Sequence, residues 1–349
     1  MKPLPLNSSI CVISARRYGD ASINAAVLKQ AALARPDIRW IIWTKPDFVA
    51  LFKSMGFEKI ITAEFPIAGG HQKVMRGGWK MLASSVIQIR RLKIDASIDF
   101  IGDTREAFFG RIINSKNHYS PKWRDQHWMR NLVWNIPVTS VNYLPIESIN
   151  DQVYKFIPEL LSKILGTIIH AESKSDPLSP NLRIAFHPFC SQLFRQWPAS
   201  SWVALSDKLS DKGLKPVVLC ASSELNQARQ FFKNSSMEPL IHSCASIEDL
   251  IEQIKQVDLL IGLDSFLVHL ASALGKRTIV INAGQKPHWW QPPNSLALGQ
   301  SGGCTSYPCM NVPTCLGKAS LSSCIKSITP NFVFEAVEKL LPMDNLSSS

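Results

Sequence analysis

Short apolar runs alternate with longer stretches of helical periodicity along the first half of the chain. Residues 10–13 and 39–43 are apolar runs, and residues 21–33 between them are Ala-rich with apolar positions near helical spacing. Residues 46–55 continue the helical pattern, and residues 96–101 form another short apolar run. Such runs are typical of buried strands, and the periodic stretches are typical of helices that pack on them. The alternation predicts a parallel β-sheet covered by helices.

The second half repeats this alternation. Its predicted strands and helices lie at residues 182–186, 200–212, 216–220, 224–232, 247–256, 259–261, 266–274 and 278–281. Between the halves, residues 168–180 are polar and include two prolines, which favours a linker. The sequence therefore predicts an α/β fold with two doubly wound, Rossmann-like domains facing across a cleft. Ligands of such sheets bind outside the carboxyl ends of the strands, so the cleft is the expected site.

The composition is that of an ordinary globular enzyme, with 46% hydrophobic and 19% charged residues. No stretch approaches the length of about 18 uninterrupted apolar residues that a membrane span needs. The first residues lack the apolar core of a signal peptide. Cys11, Cys190, Cys220 and Cys244 are scattered, which suits free thiols in a reducing compartment. We therefore expect a cytoplasmic protein.

The net charge of +11 lies almost entirely in the first half. Residues 1–165 contain 23 Lys and Arg against 13 Asp and Glu. Either this charge only keeps a surface hydrated, or the first half meets something anionic, such as a phosphorylated glycan or a phospholipid surface. The basic residues form no recognisable nucleic-acid motif, so we expect no nucleic-acid partner.

The segment with the most specific chemistry is Asp264-Ser265-Phe266-Leu267-Val268-His269. It follows a predicted buried strand that ends at Gly262, and a helix of small and apolar residues begins within it. Asp264 and Ser265 sit where an N-cap belongs, so free backbone N–H groups and the positive end of the helix dipole form an anion site. His269 lies near the end of the first turn, where its ring can donate to a phosphate. Taken alone, the segment favours a purely structural interpretation, in which Asp264 is a capping aspartate and His269 a histidine at the edge of the core.

This segment resembles the donor signature of the family 9 glycosyltransferases, the heptosyltransferase family of lipopolysaccharide core assembly. The family form is Asp-Thr/Ser-Gly, two variable residues and then His-Leu-Ala-Ala-Ala-Leu-Gly. Phe266 replaces the family's glycine, and Arg277-Thr278 replaces the proline that usually follows Gly-Lys. A glycine lets the backbone approach phosphate closely, so Phe266 bears on the identity of the donor.

Further segments match the family in order and spacing, so that the resemblance covers about residues 10–325. Arg195-Gln196-Trp197-Pro198, preceded by Ser191, resembles Lys/Arg-x-Trp-Pro, whose basic residue binds donor phosphate. Glu224 stands where the family carries an acidic residue that holds the donor's sugar moiety. Gly19-Asp20 resembles the family's Gly-Asp, whose aspartate is the proposed base.

Two weaker segments complete the match. Ile89-Arg90-Arg91, followed by residues 95–105, is similar to the family's Leu-Arg, Asp and Arg run. Residues 282–290 follow the last predicted strand and include Gly284, so we expect them to line the donor pocket. Their aromatic side chains either stack on a nucleobase or pack at the interface of the two domains.

The resemblance implies a GT-B fold with four parts: an acceptor-binding domain at 1–167, a linker at 168–180, a donor-binding domain at 181–330, and a C-terminal helix and tail at 331–349. It implies a nucleotide-sugar donor, ADP-heptose, and an anionic glycan or lipopolysaccharide acceptor reached at the inner face of the membrane.

In the expected mechanism, Asp20 is the base at a loop tip that faces the cleft. Ser191, Arg195, His269 and the helix N-terminus at Ser265 stabilise the leaving diphosphate. No Asp-x-Asp pair of the metal-dependent transferases occurs in the chain. We therefore expect a metal-independent, inverting transfer with no cofactor.

Each of these residues also has a purely structural interpretation. Asp20 is compatible with a turn or capping residue before the first long helix. Arg195 is compatible with a surface cation beside Trp197, and Glu224 with an acid favoured by a helix dipole.

Cys304, Cys309, Cys315 and Cys324 lie close together near the end of the chain. Their spacing does not match the paired C-x2-C arrangement of common zinc sites. Free thiols, a structural metal site and disulfides are all compatible with the pattern, and no metal is assigned.

Two other functions remain compatible with the sequence. One is a nucleotide-sugar epimerase of the same architecture, in which Gly19-Asp20 and the Arg-x-Trp-Pro segment would have no role. The other is a catalytically silent protein that binds sugar nucleotides and has lost transfer activity through changes such as Phe266.

Overall fold

The computed structural model describes residues 2–65, 78–102, 104–121, 138–141, 153–171, 175–179, 181–236, 238–309, 313, 315–316 and 321–341. The chain divides into two compact units, Met1–Ala171 and Glu172–Ser349. The division falls inside the linker predicted at residues 168–180. Each unit contains one six-stranded parallel sheet.

Unit 1 carries the first six strands, in the order β3-β2-β1-β4-β5-β6. Its described elements are β1 (Ser9–Ser14), α1 (Tyr18–Ala34), β2 (Arg39–Thr44), α2 (Val49–Ser54), β3 (Ile60–Thr62), α3 (Gly78–Arg91), β4 (Ala96–Asp99), α4 (Thr104–Ile112), β5 (Asn117–Pro121), β6 (Val138–Val141) and α5 (Val153–Leu165).

The central strands of unit 1 are buried on both faces, which explains their unbroken apolar sequences. Every residue of β1 is buried. Ile10 pairs in parallel with Trp40 of β2 on one side and with Ala96 of β4 on the other. Trp43, a fully buried indole of β2, packs edge-on against Phe109 and donates from Nε1 to Ser85 Oγ at 3.0 Å.

Unit 2 repeats the topology with strand order β12-β11-β10-β7-β8-β9. Its described elements are β7 (Ile184–His187), α6 (Ala199–Ser210), β8 (Val217–Ala221), α7 (Leu225–Phe232), β9 (Leu240–Cys244), α8 (Ile247–Lys255), β10 (Leu259–Leu263), α9 (Phe266–Ala273), β11 (Arg277–Ile281), β12 (Ser295–Leu298), α10 (Ser323–Lys326) and α11 (Pro330–Leu340).

The final helix of the chain is part of the core of unit 2. Val333, Ala336 and Val337 of α11 are buried in the same apolar cluster as Trp197 and Trp202. The Trp197 indole donates to the backbone carbonyl of Ile328 at 2.8 Å. The C-terminal helix predicted from residue 331 spans Pro330–Leu340, and its apolar face packs on α6 and β11.

The predicted α/β fold with two Rossmann-like domains is confirmed. In both units the strand order is the 3-2-1-4-5-6 order of doubly wound sheets, read from one edge or the other. Among the described residues, no helix combines the length and apolar character needed to cross a membrane.

Candidate active site

Each sheet has one place where its strand order reverses. In unit 1 the reversal lies between β1 and β4, and in unit 2 between β7 and β10. Segments that follow two such strands diverge to opposite sides of the sheet and leave a crevice at the carboxyl ends, where ligands of this fold bind. The charged residues of interest follow these four strands.

At the reversal point of unit 1, Arg16 and Glu106 form an ion pair. Arg16 follows β1 and donates from Nε to Glu106 Oε1 at 2.6 Å and from Nη2 to Oε2 at 3.1 Å. Glu106 of α4 is only 1% exposed. Burial raises the pKa of Glu106 above its usual range, and the nearby Asp99 adds to this effect while Arg16 opposes it. The two-point contact fixes the backbone that leads from β1 into α1.

Asp20 lies in the first turn of α1, and the expectation of a loop tip is wrong. The helix begins at Tyr18, and Asp20 Oδ2 accepts a hydrogen bond from the backbone N–H of Arg17 at 3.3 Å. This acid at the third helical position caps the N-terminus, which explains why the helix starts before Gly19. Asp20 is therefore a capping residue of α1. A carboxylate has several acceptor positions, so capping does not prevent Asp20 from also acting as a base.

Lys45 is a basic residue of this region that the sequence did not single out. It follows β2 and donates from Nζ to the carbonyl of Arg16 at 2.9 Å. Burial lowers the pKa of Lys45, while the carboxylates of Glu64, Asp47 and Asp20 act in the opposite direction. A buried ammonium near Asp20 provides positive charge at the carboxyl edge of the sheet.

A second polar cluster lies deeper, at the carboxyl end of β4. Asp99 is fully buried, and its Oδ2 lies 3.0 Å from Nε2 of His118 on β5. His118 Nδ1 lies 2.7 Å from Ser97 Oγ. Burial by itself raises the pKa of Asp99, but hydrogen bonds from His118 and the Gly102 amide outweigh burial and hold that pKa below its usual range. We assign this cluster to stability of the β4–β5 edge, because its atoms are enclosed.

Replacing His118 by alanine should lower the free energy of unfolding by about 3–5 kcal/mol at pH 7, because a buried carboxylate loses its main partner. The pKa of Asp99 is depressed in the folded protein, so its stabilisation is present above about pH 4 and is lost as the pH falls further. In urea unfolding, the difference in the free energy of unfolding between wild type and His118→Ala should therefore be smaller at pH 3 than at pH 7. Adding Asp99→Asn to His118→Ala should recover stability, and a double variant no more stable than the single one would contradict this assignment.

At the reversal point of unit 2, Asp264 lies between two basic side chains. Arg195, in the short 3-10 turn Leu193–Arg195 after β7, donates from Nη1 to Asp264 Oδ2 at 3.2 Å. The other carboxylate oxygen lies 3.8 Å from His269 Nε2. Arg195 and Asp264 are each 12% exposed. The carboxylate therefore orients Arg195 and lies beside His269, and the structure brings together these three residues from two predicted motifs.

The N-terminus of α9 has no side-chain cap. Ser265 is the N-cap residue, yet its hydroxyl makes no capping bond and is buried without a hydrogen-bond partner. Phe266 is the first helical residue and is half-buried, with an ordinary right-handed backbone. A glycine is thus not required here for conformation. The uncapped first turn leaves the positive end of this helix to a ligand.

Buried polar atoms without partners are concentrated around this point. Gln192 Oε1, Asn282 Oδ1, Gln285 Oε1 and Trp290 Nε1 are all buried with no hydrogen-bond partner among the described residues, as is Ser265 Oγ. These five side chains belong to the segments that follow β7, β10 and β11, which are neighbours in the sheet. A buried polar atom without a hydrogen-bond partner lowers the free energy of unfolding by about 1–3 kcal/mol. A concentration of such atoms is therefore typical of a site that a ligand completes.

The remaining predicted residues lie at the same edge of unit 2. Glu224 ends the 3-10 turn Ser222–Glu224 after β8, and its Oε2 accepts from the Ala221 amide at 2.9 Å. Ser191 is exposed in the segment after β7. Gly284 is buried after β11 with a φ of +70°, a backbone conformation that favours glycine.

His187, the last residue of β7, was not selected from the sequence. Its Nδ1 donates to the carbonyl of Leu219 at 3.0 Å. Burial lowers the pKa of His187, against the opposing charge of Glu224. A neutral imidazole therefore stands at the carboxyl edge between β7 and β8. The sequence feature that could have identified His187 is its position directly after the strand predicted at residues 182–186.

The paired Rossmann-like domains, with basic and acidic side chains at the reversal point of each sheet, are those of a GT-B glycosyltransferase. The chain belongs to glycosyltransferase family 9, the heptosyltransferase family, whose model matches residues 88–319.

Solved structures agree with this assignment at the level of the fold. A family 9 glycosyl transferase from Veillonella parvula superposes with a TM-score of 0.76 at 15% identity, covering 98% of this chain and 100% of that one. E. coli heptosyltransferase WaaC with ADP gives 0.72 at 15% identity, covering 95% and 100%. E. coli ADP-heptose lipopolysaccharide heptosyltransferase II gives 0.68 at 15% identity, covering 97% and 99%. Comparison with curated protein sequences gives no match.

Proposed function

We propose that this glycosyltransferase moves a heptose from ADP-heptose to an anionic cell-surface glycan of the lipopolysaccharide core type. The observation that carries the proposal is the set Arg195, Asp264 and His269 beside the uncapped N-terminus at Ser265. Two solved structures of one relative support the choice of donor, since E. coli heptosyltransferase WaaC has been solved with ADP and with ADP-2-deoxy-2-fluoro heptose.

Unit 2 is proposed to bind the donor. Arg195, held by Asp264, places its remaining N–H groups on the diphosphate, and the amides at the start of α9 supply a second set of donors. Ser191, Ser265 and His269 complete the polar lining, with Phe266 beside them. Glu224 is proposed to accept hydrogen bonds from hydroxyls of the donor. Gly284 lets the backbone after β11 turn towards the nucleotide.

Unit 1 is proposed to bind the acceptor and to supply the base. The Asp20 carboxylate takes the proton of the acceptor hydroxyl, and that oxygen attacks the anomeric carbon of the sugar. The bond from this carbon to the diphosphate oxygen breaks, and ADP leaves with the electron pair. The anomeric centre is inverted in a single displacement. Arginine, histidine and helix amides stabilise the leaving charge in the role that a divalent cation has in other transferases.

The basic surplus of residues 1–165 supports an anionic acceptor, and it suits peripheral contact with the inner face of the membrane. In this proposal the acceptor is a phosphorylated glycan carried by a lipid.

The test incubates the enzyme with a panel of sugar nucleotides and a truncated lipopolysaccharide acceptor. ADP release that requires both ADP-heptose and acceptor, with a heptosylated product by mass spectrometry, supports the proposal. Donor conversion without acceptor would identify an epimerase. Binding of a sugar nucleotide without turnover, with or without the acceptor, would identify a silent binding protein.

Replacing Phe266 by glycine should change the ratio of kcat/KM between the two best donors of the panel by about 10-fold or more, because side-chain volume beside a sugar discriminates on this scale. Phe266→Leu, which retains bulk, should change the ratio much less. An unchanged ratio in Phe266→Gly would place this ring outside the donor site.

A further inference from the structure

Four cysteines of unit 2 converge on one cavity. Cys304, Cys309, Cys315 and Cys324 all line one small pocket. Cys304, Cys309 and Cys315 come from the connection between β12 and α10, and Cys324 lies in α10 itself. All four are free thiols in the structure. None has a part in the transfer chemistry proposed above.

The backbone around the cavity holds the first and last of these cysteines together. Gly302 has a φ of +54°, and a β-carbon at this position would overlap the carbonyl of Ser323. Only glycine therefore permits this close contact between the segment that leads to Cys304 and the helix that carries Cys324. This packing brings the two cysteines to the same cavity before any ligand binds.

A second group of ligating side chains lies elsewhere in unit 2. His242, Cys244 and Asp249 have ligand atoms within 4.8 Å of one another, a closer spacing than that of any three of the four cysteine sulfur atoms. However, Asp249 already caps a helix, because its Oδ2 accepts from the Ala245 amide at 3.1 Å. His242 and Asp249 are also about one-third exposed. The four cysteines have no comparable structural task.

We propose that Cys304, Cys309, Cys315 and Cys324 bind a thiophilic metal centre, either one Zn²⁺ ion or an iron–sulfur cluster. Four cysteine thiolates are a complete ligand set for both. One Zn²⁺ ion would draw the sulfur atoms to about 3.8 Å from one another, which follows from a Zn–S distance of about 2.3 Å in a tetrahedron.

The centre would also fix the donor-binding edge of unit 2. Gly284 and Phe194 line the same cavity, and Phe194 directly precedes Arg195. The Tyr307 hydroxyl, from the loop between two of the cysteines, donates to the Gln285 carbonyl at 2.6 Å. A metal that closes the cysteine loop therefore holds the segments after β7 and β11 in place.

The test measures metal directly and needs no activity. Protein purified under reducing, anaerobic conditions without chelators is analysed for zinc, iron and acid-labile sulfide. We expect about one zinc ion per chain, or iron with a matching amount of sulfide, and these two results identify the centre. Chelator-stripped protein titrated with Co²⁺ should show the visible bands of tetrahedral cobalt thiolate. Rebinding of Zn²⁺ should raise the unfolding temperature by about 5–10 °C.

Variants locate the centre. Cys309→Ser with Cys315→Ser should abolish metal content and the cobalt bands, while Cys190→Ser should retain both. Loss of metal in Cys244→Ser, with retention in the double variant, would overturn the proposal in favour of the His242 group. If the double variant does not fold, thiol labelling of the wild type replaces it: Zn²⁺ should protect four of the eight thiols. A reduced wild type that holds no metal and gains no protection would also overturn it.

Discussion

Replacing Asp20 by asparagine should reduce kcat for sugar transfer by about 10²–10⁴-fold, the usual contribution of a general base. Asparagine keeps the shape of the side chain, and its oxygen can still accept from the Arg17 amide that caps α1. The fold should therefore remain intact. Donor affinity, measured by calorimetry with ADP, should stay within about twofold, because ADP is proposed to contact unit 2.

The same variant should change the pH dependence. If Asp20 must be ionised to accept the proton, the kcat/KM of the wild type falls at acidic pH, and Asp20→Asn lacks this acidic limb of the pH profile. Asp37→Asn is the matched control, since Asp37 precedes β2 at the opposite edge of the same sheet and pairs with Arg35. Retention of more than about a tenth of wild-type kcat in Asp20→Asn would remove Asp20 from the role of base.

Much of the fold could be predicted from the sequence because the central strands are buried on both faces. Continuous apolar runs such as β1 and β10 are visible without knowledge of their partners. Short or partly exposed strands at the edges were not predicted, as with β3 and β9, since their stability comes from neighbours and not from their own pattern.

The candidate site was predictable where its residues lie in one segment. Asp264, Ser265 and His269 surround one strand-to-helix junction, and the Arg-x-Trp-Pro segment combines a core anchor, Trp197, with Arg195 at the site. The anchor explains the motif, because a fully buried indole holds the turn that carries the arginine. The pairing of Arg195 with Asp264 joins residues 69 positions apart and required the structure.

Long-range pairs account for what the sequence did not show. Arg16 and Glu106 are 90 residues apart, and their contact depends on the adjacency of β1 and β4. Gly19 made a turn at Asp20 the natural expectation, because glycine is a poor helix former. The Asp20 carboxylate offsets that preference because it accepts a hydrogen bond from the Arg17 amide at the start of the helix. The pattern of apolar and polar residues does not reveal a single hydrogen bond of this kind.

Replacing Arg195 by glutamine should weaken the binding of ADP by about 10–100-fold, because a hydrogen bond to a charged group contributes about 1.5–3 kcal/mol. Arg195→Lys should recover only part of this affinity. A lysine keeps the charge but lacks the planar fork that donates to Asp264 and to phosphate at the same time. Isothermal titration with ADP measures both variants, and Arg183→Gln is the matched control, because Arg183 precedes β7 at the opposite edge of the sheet.

A double-mutant cycle separates the two roles of Asp264. If Asp264 acts by orienting Arg195, Asp264→Asn should weaken ADP binding in the wild type and have little further effect in Arg195→Gln. Additive losses would mean that Asp264 contacts the donor independently of Arg195. A stronger affinity in Asp264→Asn would instead mean that the carboxylate competes with phosphate for the guanidinium. Wild-type ADP affinity in Arg195→Gln would remove Arg195 from the donor site and contradict the phosphate-binding role proposed for it.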